Sequence, residues 1–464
     1  MNSDPAPLIP LHPDSLASAA QALSAAERAW LEQHRFRAEP GSHLVLPAPS
    51  GGIGRVLAGY DPKAPLYAFA ALPNRLPAGA YALPPLAAAF PGTALDAAGH
   101  LASSLLLGWR LGAYRFDRYR TPAPALATLS PPPDLDPTAV EQLADLASAV
   151  HQVRDWVNTA AADFGPAELA DAAAGLAAEL GGEIEVLRGG ALRTHCPAVY
   201  AVGMASRRPP RLIVLRWGDP AAPRLVLAGK GVAFDSGGLN IKNAAGMRKM
   251  KKDMGGAAHV LALAGLIMRR RLPVRLTVII PAVENMIAGN ALRPGDIVHT
   301  RRGLTIEIGN TDAEGRVILA DALQLANEER PDLIVDFATL TGAARVALGP
   351  DVTPFFSTDP AATTDLKAIG EAVEDPTWPL PLYAAYDHYL ASDIADLSNS
   401  SNTPHAGCIT AALFLKRFVE PGVFWLHFDT YAWNDQTRPG RPAGGEALGL
   451  RALYAWLEQR YRPS

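Results

Sequence analysis

The apolar positions change their rhythm once along this chain, near residue 158. Before that point, short strand candidates stand at His43–Leu46 and Leu66–Phe69, and a helix candidate covers Ala94–Trp109. The run Ser130-Pro131-Pro132-Pro133-Asp134 stops a helix and marks a natural boundary. Val140, Leu143, Leu146, Ala147, Val150, Val153 and Val157 then recur near 3.6 spacing and predict a long connecting helix from Pro137. After residue 158, apolar strands alternate with helical stretches. Strands are expected at Leu212–Leu215, Leu225–Ala228, Val274–Ile280, Leu304–Ile308, Leu333–Phe337 and Phe424–Phe428. Helices are expected over Ala257–Met268, Val317–Glu329 and Ile409–Val419. Such alternation predicts an α/β domain with a mainly parallel central sheet flanked by helices. The expected organisation is a smaller N-terminal α/β domain at 1–130, a linker helix at 131–158 and a C-terminal domain at 159–464.

Composition narrows the classes. At 464 residues and 49% hydrophobic content, the chain can bury more than one substantial core. A net charge of −4 gives no electrostatic footprint for nucleic acid. The short cationic runs Arg269–Arg271 and Lys249–Lys252 read as solvated faces or local ion pairing. Two cysteines, Cys196 and Cys408, do not make a disulfide scaffold and fit a reducing compartment. The first residues lack the pattern of a signal peptide, and no apolar run reaches the ~18 residues of a membrane span. A soluble cytoplasmic protein is expected, with no membrane partner.

Four polar clusters interrupt the apolar sequence. The first, Gly229–Gly238, carries Lys230 and Asp235 at the end of a strand, with Lys242 just beyond. The second, Met250–Gly256, carries Asp253 where a helix opens. The third, Asn310–Leu319, sets Asp312 and Glu314 two residues apart, with Arg316 two further on. The fourth, Asp336–Ala343, again ends an apolar strand. Each has a plain structural reading: Asp253 as a helix cap, Lys242 as a surface lysine, Asp336 as a structural acid. The P-loop spacing around Lys230 is absent. Asp235-Ser236-Gly237-Gly238 mimics a serine-protease loop, but its α/β surroundings argue against that. No His-Glu-x-x-His zinc spacing occurs. Taken together, four carboxylates in one site would not all ionise without cations. Two divalent metals ~3.5–4 Å apart meet that need and bring hydrolytic chemistry. These residues leave open whether the scissile bond is a peptide or a phosphoester.

At this point the sequence resembles the leucyl aminopeptidase family. The resemblance rests on Asn310–Leu319, Gly229–Gly238, Met250–Ala258, Val283–Ile287 with Arg293–Asp296, Ala338–Ala343 and Ile409–Ala412. It covers the C-terminal domain, while the N-terminal domain matches weakly through Gly112–Asp117. It implies a di-metal aminopeptidase that removes N-terminal amino acids from peptides. Asp235 and Glu314 would bridge the two metals, Asp312 would complete one site, and Lys230 and Asp253 the other. Lys230 would ligate as the neutral amine. The metals would be zinc or manganese, with magnesium or cobalt as alternatives. Lys242 and Arg316 would form the catalytic pair, Arg316 holding a bicarbonate. Leu340 and Gly342 would meet the substrate main chain, and Met250 and Thr339 its first side chain. Tyr431 replaces a small residue in the segment that lines that pocket, so a narrowed or reshaped pocket is expected. Thr194–Pro197 also departs from the family pattern and reads as packing. The resemblance further implies a homo-hexamer. The alternatives kept beside it are an added DNA-binding architectural role and a two-metal phosphoesterase.

Overall fold

A computed structural model describes residues 4–121 and 123–462. The chain forms two compact units. One comprises residues up to His151 together with Asp435–Ala443, and the other comprises Gln152–Asn434 with the residues from Gly444 onward.

The first unit is built on a five-stranded sheet in the order His43–Pro47, Ile53–Gly59, Ala6–Leu11, Ala80–Ala82, Thr128–Ser130. The first pair is antiparallel and the other three pairings are parallel. Leu8, Val56, Phe69, Leu105 and Trp109 meet in its core. The helix expected over Ala94–Trp109 is present as Leu95–Gly112. The strand expected at Leu66–Phe69 is not formed. Its amides bond locally, Ala68 to Pro65 and Ala70 to Tyr67. An apolar run flanked by Pro65 and Pro73 folds into successive turns, because proline supplies no ladder donor.

The second unit centres on a nine-stranded sheet. Across it run Thr377–Pro379, Thr353–Ser357, Trp425–Asp429, Leu333–Ala338, Arg224–Gly229, Arg275–Asn285, Arg211–Trp217 and Glu183–Arg188, with Gly231–Asp235 paired beside the far end of Arg275–Asn285. The four middle strands are mutually parallel, and antiparallel pairings appear only toward the edges. Arg275–Asn285 is buried along nearly its whole length, as expected for a strand covered on both faces. Helix Gly255–Arg269 is buried from Gly255 to Met268, so its sequence is apolar all round. Thr305–Glu307, expected as a strand ahead of the acid pair, lies outside this sheet. It pairs with Ile297–His299 and Leu397–Ser398 in a separate three-stranded sheet. The acids that follow it are therefore carried by an auxiliary hairpin, while those from Gly231–Asp235 come from the central sheet.

Close backbone approach makes the junction possible. A Cβ on Gly256 would lie 2.1 Å from the Phe337 carbonyl oxygen and 2.9 Å from the Lys230 amide nitrogen. Glycine there lets the N-terminus of helix Gly255–Arg269 press against the ends of two central strands. The Ala257 amide donates to the Lys230 carbonyl, and the Lys230 amide donates to Phe337. Lys230 is thereby fixed at the end of strand Arg224–Gly229, facing the loops.

Candidate metal centre

The candidate metal, catalytic and substrate-binding residues named from the sequence converge on one cleft of the second unit. A cavity of about 320 Å³ is bordered by Lys230, Asp235, Lys242, Asp253, Asp312 and Arg316 on its inner side. Met250, Thr339, Leu340, Gly342 and Tyr431 border it as well. Glu314 lies beneath them and opens helix Glu314–Glu328. Oxygens of Asp235, Asp312 and Glu314 all come within 4.8 Å of one another.

Lys230 Nζ stands 2.8 Å from Asp253 Oδ2 and 2.9 Å from Glu314 Oε1, and it donates to the Thr339 carbonyl at 3.1 Å. Lys242 Nζ stands 2.8 Å from Asp235 Oδ2 and 2.5 Å from Asp312 Oδ1. Four carboxylates thus face two lysines, which leaves an excess of negative charge. Asp253 Oδ2 and Asp312 Oδ1 are buried, and each is partnered, among the described residues, by one lysine ammonium, Lys230 or Lys242. Both oxygens keep unused acceptor capacity in a place where burial makes that costly. This is the condition that a dication relieves, and hard carboxylate oxygens suit one. The residues present therefore fit a pair of divalent metals.

The acid–base properties agree. Burial first, then the charge of Asp235, pushes the Glu314 carboxyl up to about 8. Burial, followed by the charge of Asp253, pushes Asp235 up to about 6. Burial acts on Asp253 in the same direction, but Lys230 and Lys252 outweigh it and hold that carboxyl below its ordinary range. Burial also works against the Lys230 ammonium, yet Asp253, Glu314 and Asp235 offset it and raise its pKa. The acids are thus divided by environment, which is common at functional sites.

Surrounding residues hold this geometry. A Cβ on Gly315 would lie 2.7 Å from Lys230 Nζ, so glycine leaves the channel through which that side chain reaches the acids. Asn285 Nδ2 donates to Asp235 Oδ1 at 2.9 Å and to the Thr311 carbonyl at 3.0 Å. Thr339 Oγ1 donates to Asp253 Oδ1 at 2.7 Å. Asn399 accepts from the amides of Gly309 and Asn310 and donates to the Asn310 carbonyl, fixing the loop that carries Asp312. The Asn399 carbonyl in turn accepts from Arg316 Nη1 at 2.9 Å. Arg316 is buried, its Nε has no partner, and burial lowers its pKa to about 10. Asp429 accepts from the Leu340 and Thr341 amides and from Thr341 Oγ1, pinning the backbone of that wall.

Sequence reasoning missed several of these residues. Asn285 ends an apolar strand, and Asn399 sits in the Ser-Asn-Ser-Ser-Asn run, which reads as an ordinary loop. Lys252, in the cationic run read as a solvated face, is instead buried, and burial lowers its pKa to about 8. Its place just ahead of Asp253 in the 3₁₀ turn Met250–Met254 was the available signal. Asp336 does have the structural role open to it: it accepts from Trp425 Nε1 and pairs with His427 Nδ1 at 2.6 Å, inside the core. Cys196 is likewise core, its thiol pushed up to about 12 chiefly by burial.

A carboxylate cage at the loop end of a mainly parallel sheet defines a metal-dependent hydrolase of the α/β class. Comparison with known proteins is more specific. Residues 151–454 match the model of the cytosol aminopeptidase family, catalytic domain, and residues 6–132 match that of the M17 aminopeptidase N-terminal domain. A probable cytosol aminopeptidase of Syntrophotalea carbinolica is 43% identical over 76% of this chain and 74% of its own length. One from Geobacter sulfurreducens is 41% identical over 76% and 74%. Among solved structures, the cytosol aminopeptidase of Coxiella burnetii superposes with a TM-score of 0.93 at 45% identity, covering 100% of this chain and 98% of that one. The bottromycin maturation enzyme BotP, solved in complex with Mn, gives 0.88 at 34% identity, covering 99% and 100%. The chain belongs to the cytosol aminopeptidase family. It is an aminopeptidase, a hydrolase of a metal-dependent family. No helix among the described residues is long and apolar enough to cross a membrane.

Proposed function

We propose that the chain removes N-terminal amino acids from peptides, using two divalent metals held by Lys230, Asp235, Asp253, Asp312 and Glu314. The observation that carries this reading is the cage itself: three carboxylates within 4.8 Å, four in contact with only two lysines, and two buried oxygens each partnered by a single ammonium. When bound, such ions polarise a scissile carbonyl and lower the pKa of water. The protein's own groups supply the rest. Lys242, held between Asp235 and Asp312, brings a protonated ammonium to the charge that develops on the carbonyl oxygen. The Leu340 and Gly342 backbone, steadied by Asp429, orients the substrate main chain. Arg316 faces the cleft with an unpartnered Nε in a buried setting, which suits a small anion such as bicarbonate positioned to move protons. Met250, Thr339 and Tyr431 border the space for the first side chain. Manganese is favoured by BotP, solved in complex with Mn, and zinc by the mixed amine and carboxylate ligands. A cytoplasmic homo-hexamer is proposed from the family resemblance and the relatives' names.

The experiment is metal-stripped protein reconstituted with Zn²⁺, Mn²⁺, Co²⁺ or Mg²⁺ and assayed on aminoacyl-p-nitroanilides. At least one metal should restore turnover, and Asp312→Ala should lower kcat/KM by about a hundredfold or more with the oligomer unchanged by light scattering. Full activity in Asp312→Ala, or in protein shown to be metal-free, would overturn the assignment. The comparisons lend no support to a DNA-binding role or to a phosphoesterase.

A further inference from the structure

The outer wall of the cleft carries two cations that the metal cage does not use. Lys252 is 6% exposed, and its Nζ lies 5.1 Å from the Tyr431 ring centroid. Arg345, from helix Gly342–Leu348, places its guanidinium carbon 4.3 Å from the centroid of the same ring. All three side chains border the cavity that holds Asp235 and Asp312. Neither cation has a carboxylate within ion-pairing distance among the described residues. The acids nearby are engaged elsewhere: Asp253 with Lys230 and Thr339, Asp429 with the Leu340 and Thr341 amides and the Thr341 hydroxyl. A buried ammonium that no carboxylate pairs directly is costly to maintain, since cation–π attraction recovers a small part of lost hydration. A buried ammonium and an exposed guanidinium beside one ring, neither paired with a carboxylate, suit an anion.

We propose that Lys252, Arg345 and Tyr431 select substrates whose first residue has an acidic side chain, aspartate or glutamate, and disfavour a basic one. This rests on the reading that the cavity receives the N-terminal residue of a peptide. The side-chain carboxylate would meet the ammonium of Lys252 and the guanidinium of Arg345. A lysine or arginine side chain in the same place would meet two like charges.

The test is steady-state kinetics of the metal-reconstituted full chain on Glu-, Asp-, Leu- and Arg-p-nitroanilide, which lack a second carboxylate. Glu- or Asp-p-nitroanilide should match or exceed Leu-p-nitroanilide in kcat/KM, with Arg-p-nitroanilide about tenfold or more below it. In Arg345→Gln and in Lys252→Met, the ratio of the acidic substrate to Leu should fall by about tenfold or more, and Arg345→Glu should raise the relative rate on Arg-p-nitroanilide. Arg345 is exposed, so its variants test the idea even if Lys252→Met fails to fold, which circular dichroism would show. Cleavage of Leu- with rejection of Glu- and Asp-p-nitroanilide overturns the specificity and leaves the aminopeptidase reading standing. So does preference for Leu-Gly over Leu-Gly-amide without an acidic-residue preference, since the cations would then read the far carboxylate. Failure on every substrate with every metal would sink the underlying reading and this inference together.

Discussion

Gly315 shows how finely single residues set this site. Its missing side chain is the channel for Lys230: a methyl group there would lie 2.6 to 2.7 Å from Lys230 Cε, Cδ and Nζ, so the buried lysine end would have to move. Gly315→Ala should therefore displace the lysine, lower metal content measured by elemental analysis and reduce kcat/KM at least as much as Lys230→Met. Normal metal stoichiometry and rate in Gly315→Ala would contradict that role for the channel. Glu314 gives a second expectation. Its carboxyl is pushed up to about 8, so metal-free folded protein holds a proton there that the unfolded chain releases near 4.5. A raised carboxyl pKa means stability declines as pH rises between those values, and that metal binding near neutrality expels a proton. Calorimetric titration with metal at pH 7 in buffers of different ionisation enthalpy should show net proton release, reduced in Glu314→Gln. Equal heats in both buffers would rule it out. At this scale the sequence was legible for the acids of the cage and for Lys230 and Lys242, because charges inside apolar runs are conspicuous, but not for Lys252 inside its cationic run. Asn285, Asn399 and Asp429 were not, because amides and acids that hold loops through backbone bonds look like any loop residue.

Among the elements, the central strands were legible because burial on both faces leaves continuous apolar runs, as in Leu225–Ala228 and Leu333–Phe337. Thr353–Ser357 escaped notice because Pro354 argues against a strand, although it pairs on both sides. Leu66–Phe69 was misread because an apolar tetrapeptide carries no period of its own. Helix Gly255–Arg269 has a further property. Its His259 is fully buried, with Nδ1 2.6 Å from the Gly255 carbonyl and Nε2 accepting from the Leu448 amide at 3.0 Å. Burial lowers its pKa from 6.5 to about 4. The folded state thus keeps His259 neutral where the unfolded chain protonates it. That contribution is present above pH 6.5 and is lost as pH falls toward 4, at up to about 1.4 kcal/mol per pH unit. Glu314 acts in the opposite sense over part of this window, so the readout is a difference: on acidification the urea midpoint should drop less, or rise more, in His259→Gln than in the parent. An identical slope in the variant would show that other groups control acid unfolding.

For the whole molecule, every group of the proposed metal centre lies within Gln152–Asn434, in the second unit. Metal that binds only the folded site stabilises it by about 2.7 kcal/mol at a hundred times Kd. Chelation should then lower the Tm of one calorimetric transition, that of the second unit, and leave any separable transition of the first in place. A uniform loss in both, or in neither, would count against a site confined to the second unit.

Asn399 and Asp429 hold the loops around the cage, yet they follow its last acid by 85 and 115 residues of chain. During synthesis the metal-binding carboxylates therefore exist well before the parts that shape them. The cage can take its folded shape only once residues 399 and 429 have emerged to hold its loops.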